Sequence, residues 1–221
     1  PFVTYFIIAL NTLVFLFELS VSEQGRGALN GFIYHFGVVP WRFDHVLAAW
    51  PAASLTGLFL PILTSMFLHA SWLHLIGNMW FLWIFGDNIE DYLGHFSYLL
   101  FYLVCGLAAA VTHILLNAGS RVPSVGASGA IAGVMGAYFV LYPRSRVMMW
   151  FPPIFFFQLP AWLVLGYWFL MQFLSGAATS IVETSQNGGI AFWAHVGGFV
   201  AGVVLIKVLP ARPRRDRYAA W

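Results

Sequence analysis

The chain has 221 residues, of which 61% are hydrophobic and 8% are charged, and its net charge is +2. Soluble domains carry about a quarter charged residues, so this composition excludes a water-exposed surface over most of the chain. The small net charge, without a basic stripe interleaved with aromatic residues, argues against nucleic-acid binding. The single cysteine, Cys105, excludes an intrachain disulfide, and we expect it to be a small buried hydrophobic residue.

Six apolar stretches are long enough to cross a bilayer, which requires roughly 20 mostly apolar residues. They cover residues 3–19, 65–85, 96–116, 125–142, 159–174 and 190–209. Their continuous hydrophobicity, without strand-like alternation, favours helices over a barrel. The predicted fold class is therefore all-α, a polytopic membrane protein with six transmembrane helices in a compact bundle. Residues 1–209 form the membrane domain, and residues 210–221 form a basic cytoplasmic tail.

The long connection between the first two spans, residues 20–64, is too polar and too rich in Pro and Gly for a clean span. It nevertheless contains Trp41 and Trp50, and Trp is favoured at membrane–water interfaces. We therefore predict a long first loop that folds at the outer membrane interface. A re-entrant segment near residues 47–60 is the alternative.

The distribution of Lys and Arg predicts the orientation, because cytoplasmic loops carry an excess of these residues. With both termini in the cytoplasm, the inner side holds seven of them and the outer side three. The inner residues are Arg144, Arg146, Lys207, Arg212, Arg214, Arg215 and Arg217, and the outer ones are Arg26, Arg42 and Arg121. The chain is thus predicted to be an integral, multi-pass protein with cytoplasmic termini.

The fourth span places Ser128 about one turn inside its outer end. Polar residues inside spans are costly and usually functional. Gly129, Gly133 and Gly136 follow at helical spacing and predict a flat stripe against which another helix can pack closely. Ser beside Gly is also common packing material in membrane helices, so this motif alone does not identify a catalytic serine.

The sixth span carries His195 on a similar stripe, because positions 191, 195, 198 and 202 share one face of a helix. A lone histidine in a membrane helix can be purely structural. Two small-residue stripes that pack against each other, however, would bring Ser128 and His195 into contact.

The second span begins with His69, His74 and Asn78. His74 and Asn78 share a helix face, whereas His69, five residues before His74, lies about 140° around an ideal helix and faces elsewhere. A metal site is the weaker alternative, because the nearest acidic residues, within 87–91, lie toward the other membrane face. We expect no metal and no cofactor.

Peptide hydrolysis by serine needs a base and donors for the oxyanion. Ser128 and His195 supply the nucleophile and base, while Asn78, His74 and the Ser128 backbone N–H are candidate donors. The second, fourth and sixth spans run in the same direction, so these groups are all predicted in the outer half of the bilayer. No carboxylate is expected at that depth, which predicts a Ser–His dyad with His195 oriented by packing alone.

These motifs resemble those of the rhomboid intramembrane proteases over about residues 65–209. The resemblance rests on three motifs in the same order and on the corresponding spans: His69-x4-His74-x3-Asn78, Gly126-x-Ser128-Gly129 and Ala194-His195-x2-Gly198-x3-Gly202. The segments 86–91 and 142–146 are also similar to loops of this family.

The resemblance implies a role for each motif residue. It assigns Ser128 as the nucleophile and His195 as the general base. On the side of the oxyanion and substrate it places His74, Asn78 and Gly126.

Further positions match less closely. His69 matches a polar position near the active-site mouth, and Glu90 matches an acid in a structural hydrogen-bond network on the cytoplasmic side. Many members have Trp-Arg where this chain has Leu60 and Pro61, which changes the anchoring of the first loop. Some have a tyrosine that stacks on the catalytic histidine, where this chain has Ala132.

The resemblance implies single-pass transmembrane proteins as substrates, cleaved near the outer end of their membrane helix, with the lipid bilayer as the surrounding partner. It also suggests the bacterial inner membrane as the location. We expect the aromatic-rich fifth span to be a movable wall for lateral substrate access; an ordinary lipid-facing helix is the alternative.

Two other functions fit the composition. A catalytically silent rhomboid-like chaperone or scaffold would share the fold but usually lacks the serine or the histidine. A small transporter or channel would need polar groups through the full membrane depth, whereas here they are predicted to cluster in the outer half.

Overall fold

The computed structural model describes residues 1–48, 55–151, 154–181 and 191–212. In chain order the helices and strands are α1 (Phe2–Ser22), α2 (Arg26–Phe36), α3 (Pro40–Ala48), α4 (Leu55–Ser65), α5 (Trp72–Leu93), α6 (His95–Leu116), α7 (Ser128–Leu141), β1 (Arg146–Phe151), β2 (Phe155–Pro160), α8 (Ala161–Ile181) and α9 (Phe192–Val208). The described part of the predicted tail stops at residue 212, so residues 213–221 lie outside the described residues.

The predominantly helical, polytopic membrane bundle predicted from the sequence is confirmed. In the described parts of the chain, three helices are long and apolar enough to cross a membrane, namely Phe2–Ser22, His95–Leu116 and Ala161–Ser180. Helices α7 and α9 are apolar but shorter. Large apolar side chains such as Leu13, Leu115 and Val208 are exposed by 64%, 70% and 71%, as expected for a surface that faces lipid.

Helix α5 differs in its bounds from the second predicted span, residues 65–85. It begins at Trp72 because Ser71 caps it, with the Ser71 hydroxyl accepting the His74 backbone N–H at 3.2 Å. It continues through the polar segment 86–91 and ends at Gly94, whose φ of 79° suits glycine. The apolar run therefore predicted a helix in this part of the chain, but it did not predict the residue at which α5 begins.

The long first loop is folded, with three short helices in place of irregular chain. Residues 49–54, which belong to the alternative re-entrant segment 47–60, lie outside the described residues. Val38, Phe43 and Ile62 form a small buried core against α6. Backbone hydrogen bonds from Val38 to Ser124 tie the loop to the segment that precedes α7.

A β-hairpin connects α7 to α8, and an all-α prediction missed it. Strand β1 pairs with β2 in antiparallel register, from Arg146 opposite Pro160 to Phe151 opposite Phe155. These segments are rich in Val, Met, Phe and Trp, which favour strands, but each is too short to cross a bilayer. No strand was predicted here because only span-length apolar runs were considered, and the predicted fifth span, residues 159–174, begins inside β2.

The carboxylate of Glu90 joins the start of α1 to the far end of α5. It is fully buried and accepts hydrogen bonds from the backbone N–H groups of Val3 and Thr4, both at 2.8 Å, and from the Thr4 hydroxyl at 2.7 Å. The first N–H groups of a helix lack intrahelical partners, and a negative charge there is favourable. His95 Nδ1 also contacts Glu90 at 2.5 Å, so this position is structural, as the resemblance implies.

Helices α7 and α9 pack backbone against backbone through their glycines, as the two stripes predicted. A Cβ atom placed on Gly198 or on Gly202 would overlap the carbonyl group of Gly129 or Gly133, respectively. A Cβ on Gly136 would likewise overlap the backbone of Phe199. Only glycine therefore permits this approach of the two helices.

We expect Gly202→Ala to separate α7 from α9 and to lower the free energy of unfolding, by about 1–3 kcal/mol from overpacking. Gly77→Ala is the matched control, because a Cβ at Gly77 meets no atom within 4 Å. Thermal unfolding in detergent, followed by circular dichroism, compares the two variants. Equal unfolding temperatures for both would contradict the close-packing account.

Candidate active site

Ser128 is the first residue of α7, and not one turn inside the helix as the sequence predicted. The cause is Gly126, whose φ of 132° breaks the helix just before it. The Gly126 N–H donates to the Ser65 carbonyl at 2.8 Å, and a Cβ at Gly126 would lie only 2.8 Å from the His74 ring. Glycine is therefore required here both for its conformation and for space.

The Ser128 hydroxyl lies 2.8 Å from His195 Nε2. His195 is in the first turn of α9, and its backbone N–H donates to the Ala191 carbonyl. The two residues come from helices that meet through their glycine stripes, so the packing that the sequence predicted is what brings them together. Both side chains are only partly exposed.

Helix α8 supplies a further partner that the sequence analysis missed. The side-chain oxygen Oε1 of Gln172 lies 2.8 Å from His195 Nδ1. The Trp168 ring also lies beside the imidazole, with centroids 5.6 Å apart and planes tilted by 38°. The prediction that packing alone orients His195 is therefore wrong. A glutamine in the middle of an apolar span is costly, and this was the signal that could have identified Gln172.

His69 precedes α5 and does not lie on it. The prediction that His69 faces away from His74 assumed one continuous helix and is therefore wrong. The two rings are neighbours, with centroids 5.1 Å apart and a T-shaped arrangement. His69 is 2% exposed, and in the described structure neither of its ring nitrogens has a hydrogen-bond partner. The resemblance placed His69 near the active-site mouth, and here its ring is buried beside that of His74.

A carboxylate does lie near these histidines, contrary to the sequence prediction. Glu18 of α1 is buried, and both of its oxygens accept the His69 backbone N–H at 3.2 Å. It contacts His69 and not His195, so the Ser128–His195 pair remains a dyad without an acidic member in the described structure.

Asn78 lies one turn after His74 on α5 and is 8% exposed. Its side-chain nitrogen Nδ2 has no hydrogen-bond partner within the described residues. Buried donors are nearly always satisfied, and an exception calls for a functional or solvent explanation. Asn78 thus offers a free donor on the same helix face as His74.

A small cavity adjoins Ser128 beneath the first loop. It is lined by Ser65, Met66, His113, Gly126, Ser128 and Ala194 among others. Most of its lining is apolar, and Ser65, His113, Ser124 and Ser128 supply its polar side chains. Across residues 1–48, 55–151, 154–181 and 191–212, no group of three His, Cys, Asp or Glu side chains is placed to hold a metal ion.

This chain is similar to proteins of a known family. The Rhomboid domain family matches residues 56–212. Rhomboid-like protein 11, chloroplastic, from Arabidopsis thaliana is 33% identical over 204 residues, which are 90% of this chain and 66% of that protein.

Two mitochondrial proteins are also similar. Rhomboid protein 1, mitochondrial, from Saccharomyces cerevisiae is 29% identical over 150 residues, which are 66% of this chain and 40% of that protein. Presenilin-associated rhomboid-like protein, mitochondrial, from Bos taurus is 31% identical over 151 residues, 65% of this chain and 36% of that protein. The chain thus covers well under half the length of these two relatives.

The names of these relatives give no support to the predicted bacterial inner membrane, because they are mitochondrial or chloroplastic. The family match supports an integral, multi-pass membrane protein. Since the family match covers more than half of the chain and includes all three motifs, the chain belongs to the rhomboid family.

Proposed function

We propose that this rhomboid-family chain is an intramembrane serine endopeptidase that cleaves single-pass transmembrane proteins near the outer end of their membrane helix. The observation that carries the proposal is the 2.8 Å contact between Ser128 Oγ and His195 Nε2. A serine within hydrogen-bond reach of an oriented base is the arrangement that nucleophilic catalysis requires.

The proposed reaction follows from the positions of these two side chains. His195 Nε2 takes the proton of the Ser128 hydroxyl as Oγ attacks the carbonyl carbon of the scissile peptide bond. The protonated imidazole then gives this proton to the leaving amine, and the acyl group stays on Ser128. A water molecule, deprotonated in turn by His195, hydrolyses the acyl-enzyme and restores the serine.

Three features support an oxyanion hole beside Ser128. Ser128 begins α7, and the first N–H groups of a helix have no intrahelical partners and carry a partial positive charge. Asn78 provides an unpaired buried donor, and the His74 ring lies against Gly126. Donors fixed in this way stabilise the negative charge that develops on the carbonyl oxygen.

Access of substrate from the bilayer fits the packing of α8. This helix packs mainly on α9, and among the described residues it shares few or no contacts with α5. A substrate helix would pass between α5 and α8 to reach Ser128, and water would come from the adjoining cavity. Helices that unwind easily, with small or helix-breaking residues near the cleavage site, are the expected substrates because a regular helix hides its carbonyl groups.

The orientation remains part of the proposal. The excess of Lys and Arg on one side predicts that both termini face the cytoplasmic or equivalent compartment. The Ser128 end of the bundle, near the long first loop, then faces the opposite compartment, where cleavage takes place.

We expect Ser128→Ala and His195→Ala each to lower cleavage of a model single-pass substrate in liposomes by on the order of 10³-fold or more, because the dyad acts as a unit. Ser97→Ala and His35→Ala are matched controls at exposed positions and should cleave like the native protein. If the native protein does not cleave, a catalytically silent scaffold becomes the better account. If Ser128→Ala cleaves normally, other residues carry the activity.

We expect Asn78→Ala to lower kcat by about 10²–10³-fold with little change in KM, the usual cost of losing one oxyanion donor. Asn88→Ala removes an asparagine from the other end of the same helix and serves as the control. Steady-state kinetics on purified protein measures both values. A kcat for Asn78→Ala within twofold of native would show that Asn78 takes no part in oxyanion stabilisation.

A further inference from the structure

The contact between Gln172 and His195 favours one tautomer of the imidazole. The Gln172 atom that faces His195 Nδ1 is the amide oxygen Oε1, at 2.8 Å. A carbonyl oxygen only accepts hydrogen bonds, so with Oε1 in this position Nδ1 donates and carries the proton. In the neutral ring Nε2 then carries none and can only accept, from the Ser128 hydroxyl at 2.8 Å. This is the tautomer that a general base requires.

Helix α7 offers the imidazole no other support of this kind. Ala132, one turn after Ser128, is fully buried and has no polar side-chain atom. The groups that hold the ring come from α8, with Gln172 on Nδ1 and Trp168 beside the ring face. The base on α9 is thus oriented by a neighbouring helix and not by the helix that carries the nucleophile.

Helix α8 is joined to α9 by a small set of contacts around this hydrogen bond. Phe173 packs edge-on against Trp193 with ring centroids 5.8 Å apart, and Phe169 stacks on Phe199 at 4.7 Å. Three large α8 side chains, Trp162, Tyr167 and Leu174, are more than half exposed. An outward movement of α8 would therefore also withdraw Oε1 from Nδ1.

We propose that Gln172 is the positioning residue for His195, and that the base is correctly oriented only while α8 packs against α9. This inference rests on the proposed protease function.

During acylation Nε2 gains the Ser128 proton, and the imidazolium keeps its Nδ1–H on Oε1, whose partial negative charge stabilises the cation. Nε2 then releases the proton to the leaving amine, and Gln172 gains and loses no proton. Helix α8 would thus first move away to admit the substrate, and the dyad would become active once α8 packs against α9 again.

Two substitutions of Gln172 distinguish the loss of a hydrogen-bond acceptor from a change in side-chain packing. Gln172→Met keeps the length of the side chain but removes the oxygen, and we expect kcat to fall about tenfold with KM unchanged, the effect of one net hydrogen bond. Gln172→Glu keeps an acceptor oxygen and should retain kcat within a few-fold of native. If both variants lose activity equally, or if neither does, the role of Gln172 as an acceptor is overturned.

A neighbouring variant controls for a general effect of substitution in α8. Leu174→Met changes a side chain that is 51% exposed, and we expect its kcat to stay close to native. If Leu174→Met loses as much kcat as Gln172→Met, the loss is not specific to the acceptor and the positioning role is overturned. If Gln172→Met has a native kcat while Ser128→Ala is inactive, only this inference is overturned. If Ser128→Ala is active, the proposed function is overturned, and this inference with it.

The tautomer provides a readout that does not depend on activity. ¹⁵N NMR of the histidine rings, assigned to His195 by comparison with His195→Ala, should show a protonated Nδ1 and an unprotonated Nε2 in the native protein. Gln172→Met should shift this ratio toward the other tautomer. A native His195 protonated on Nε2 at neutral pH would overturn the proposal.

Discussion

The close approach of α7 and α9 is the constraint on which the rest of the site depends. Lipid is as apolar as the side chains it surrounds, so helices in a bilayer associate through tight packing and hydrogen bonds. Here Gly198 and Gly202 lie directly against the backbone carbonyls of Gly129 and Gly133. Only at that separation can a serine at the start of one helix and a histidine in the first turn of the other form a 2.8 Å hydrogen bond.

Several helices each contribute one part of the site, and they differ in how tightly they pack against their neighbours. Helices α7 and α9, with α6 behind them, form the tightly packed centre, whereas α8 lies at its edge and exposes much of its surface. Ser128 and His195 are thus held by the tightly packed centre, while Gln172 comes from the edge. The proposed protease, which would have to hold its dyad firmly and also admit a helix from the bilayer, would need this division between a fixed part and a movable one.

The sequence was sufficient for the bundle, for the glycine stripes and for the proximity of Ser128 and His195, because helical periodicity carries that information directly. It failed where local chemistry ends or interrupts a helix. The cap at Ser71 and the left-handed region at Gly126 moved His69 and Ser128 from their predicted places. Gln172 and Glu18 were missed for a different reason: each has its partner on another segment of the chain, and a single sequence does not determine which helix face meets that segment. The hairpin at 146–160 was missed because only span-length runs were considered.

The most direct test of the account is labelling with a fluorophosphonate, which reacts only with an activated serine as Oγ displaces fluoride from phosphorus. The purified protein in liposomes is treated with the probe, and the modified residue is located by mass spectrometry. The account predicts one adduct, on Ser128, and its loss in His195→Ala. An adduct on another residue, no adduct at all, or equal labelling of Ser128 in His195→Ala would contradict the claim that the packing of α7 and α9 creates a catalytic dyad.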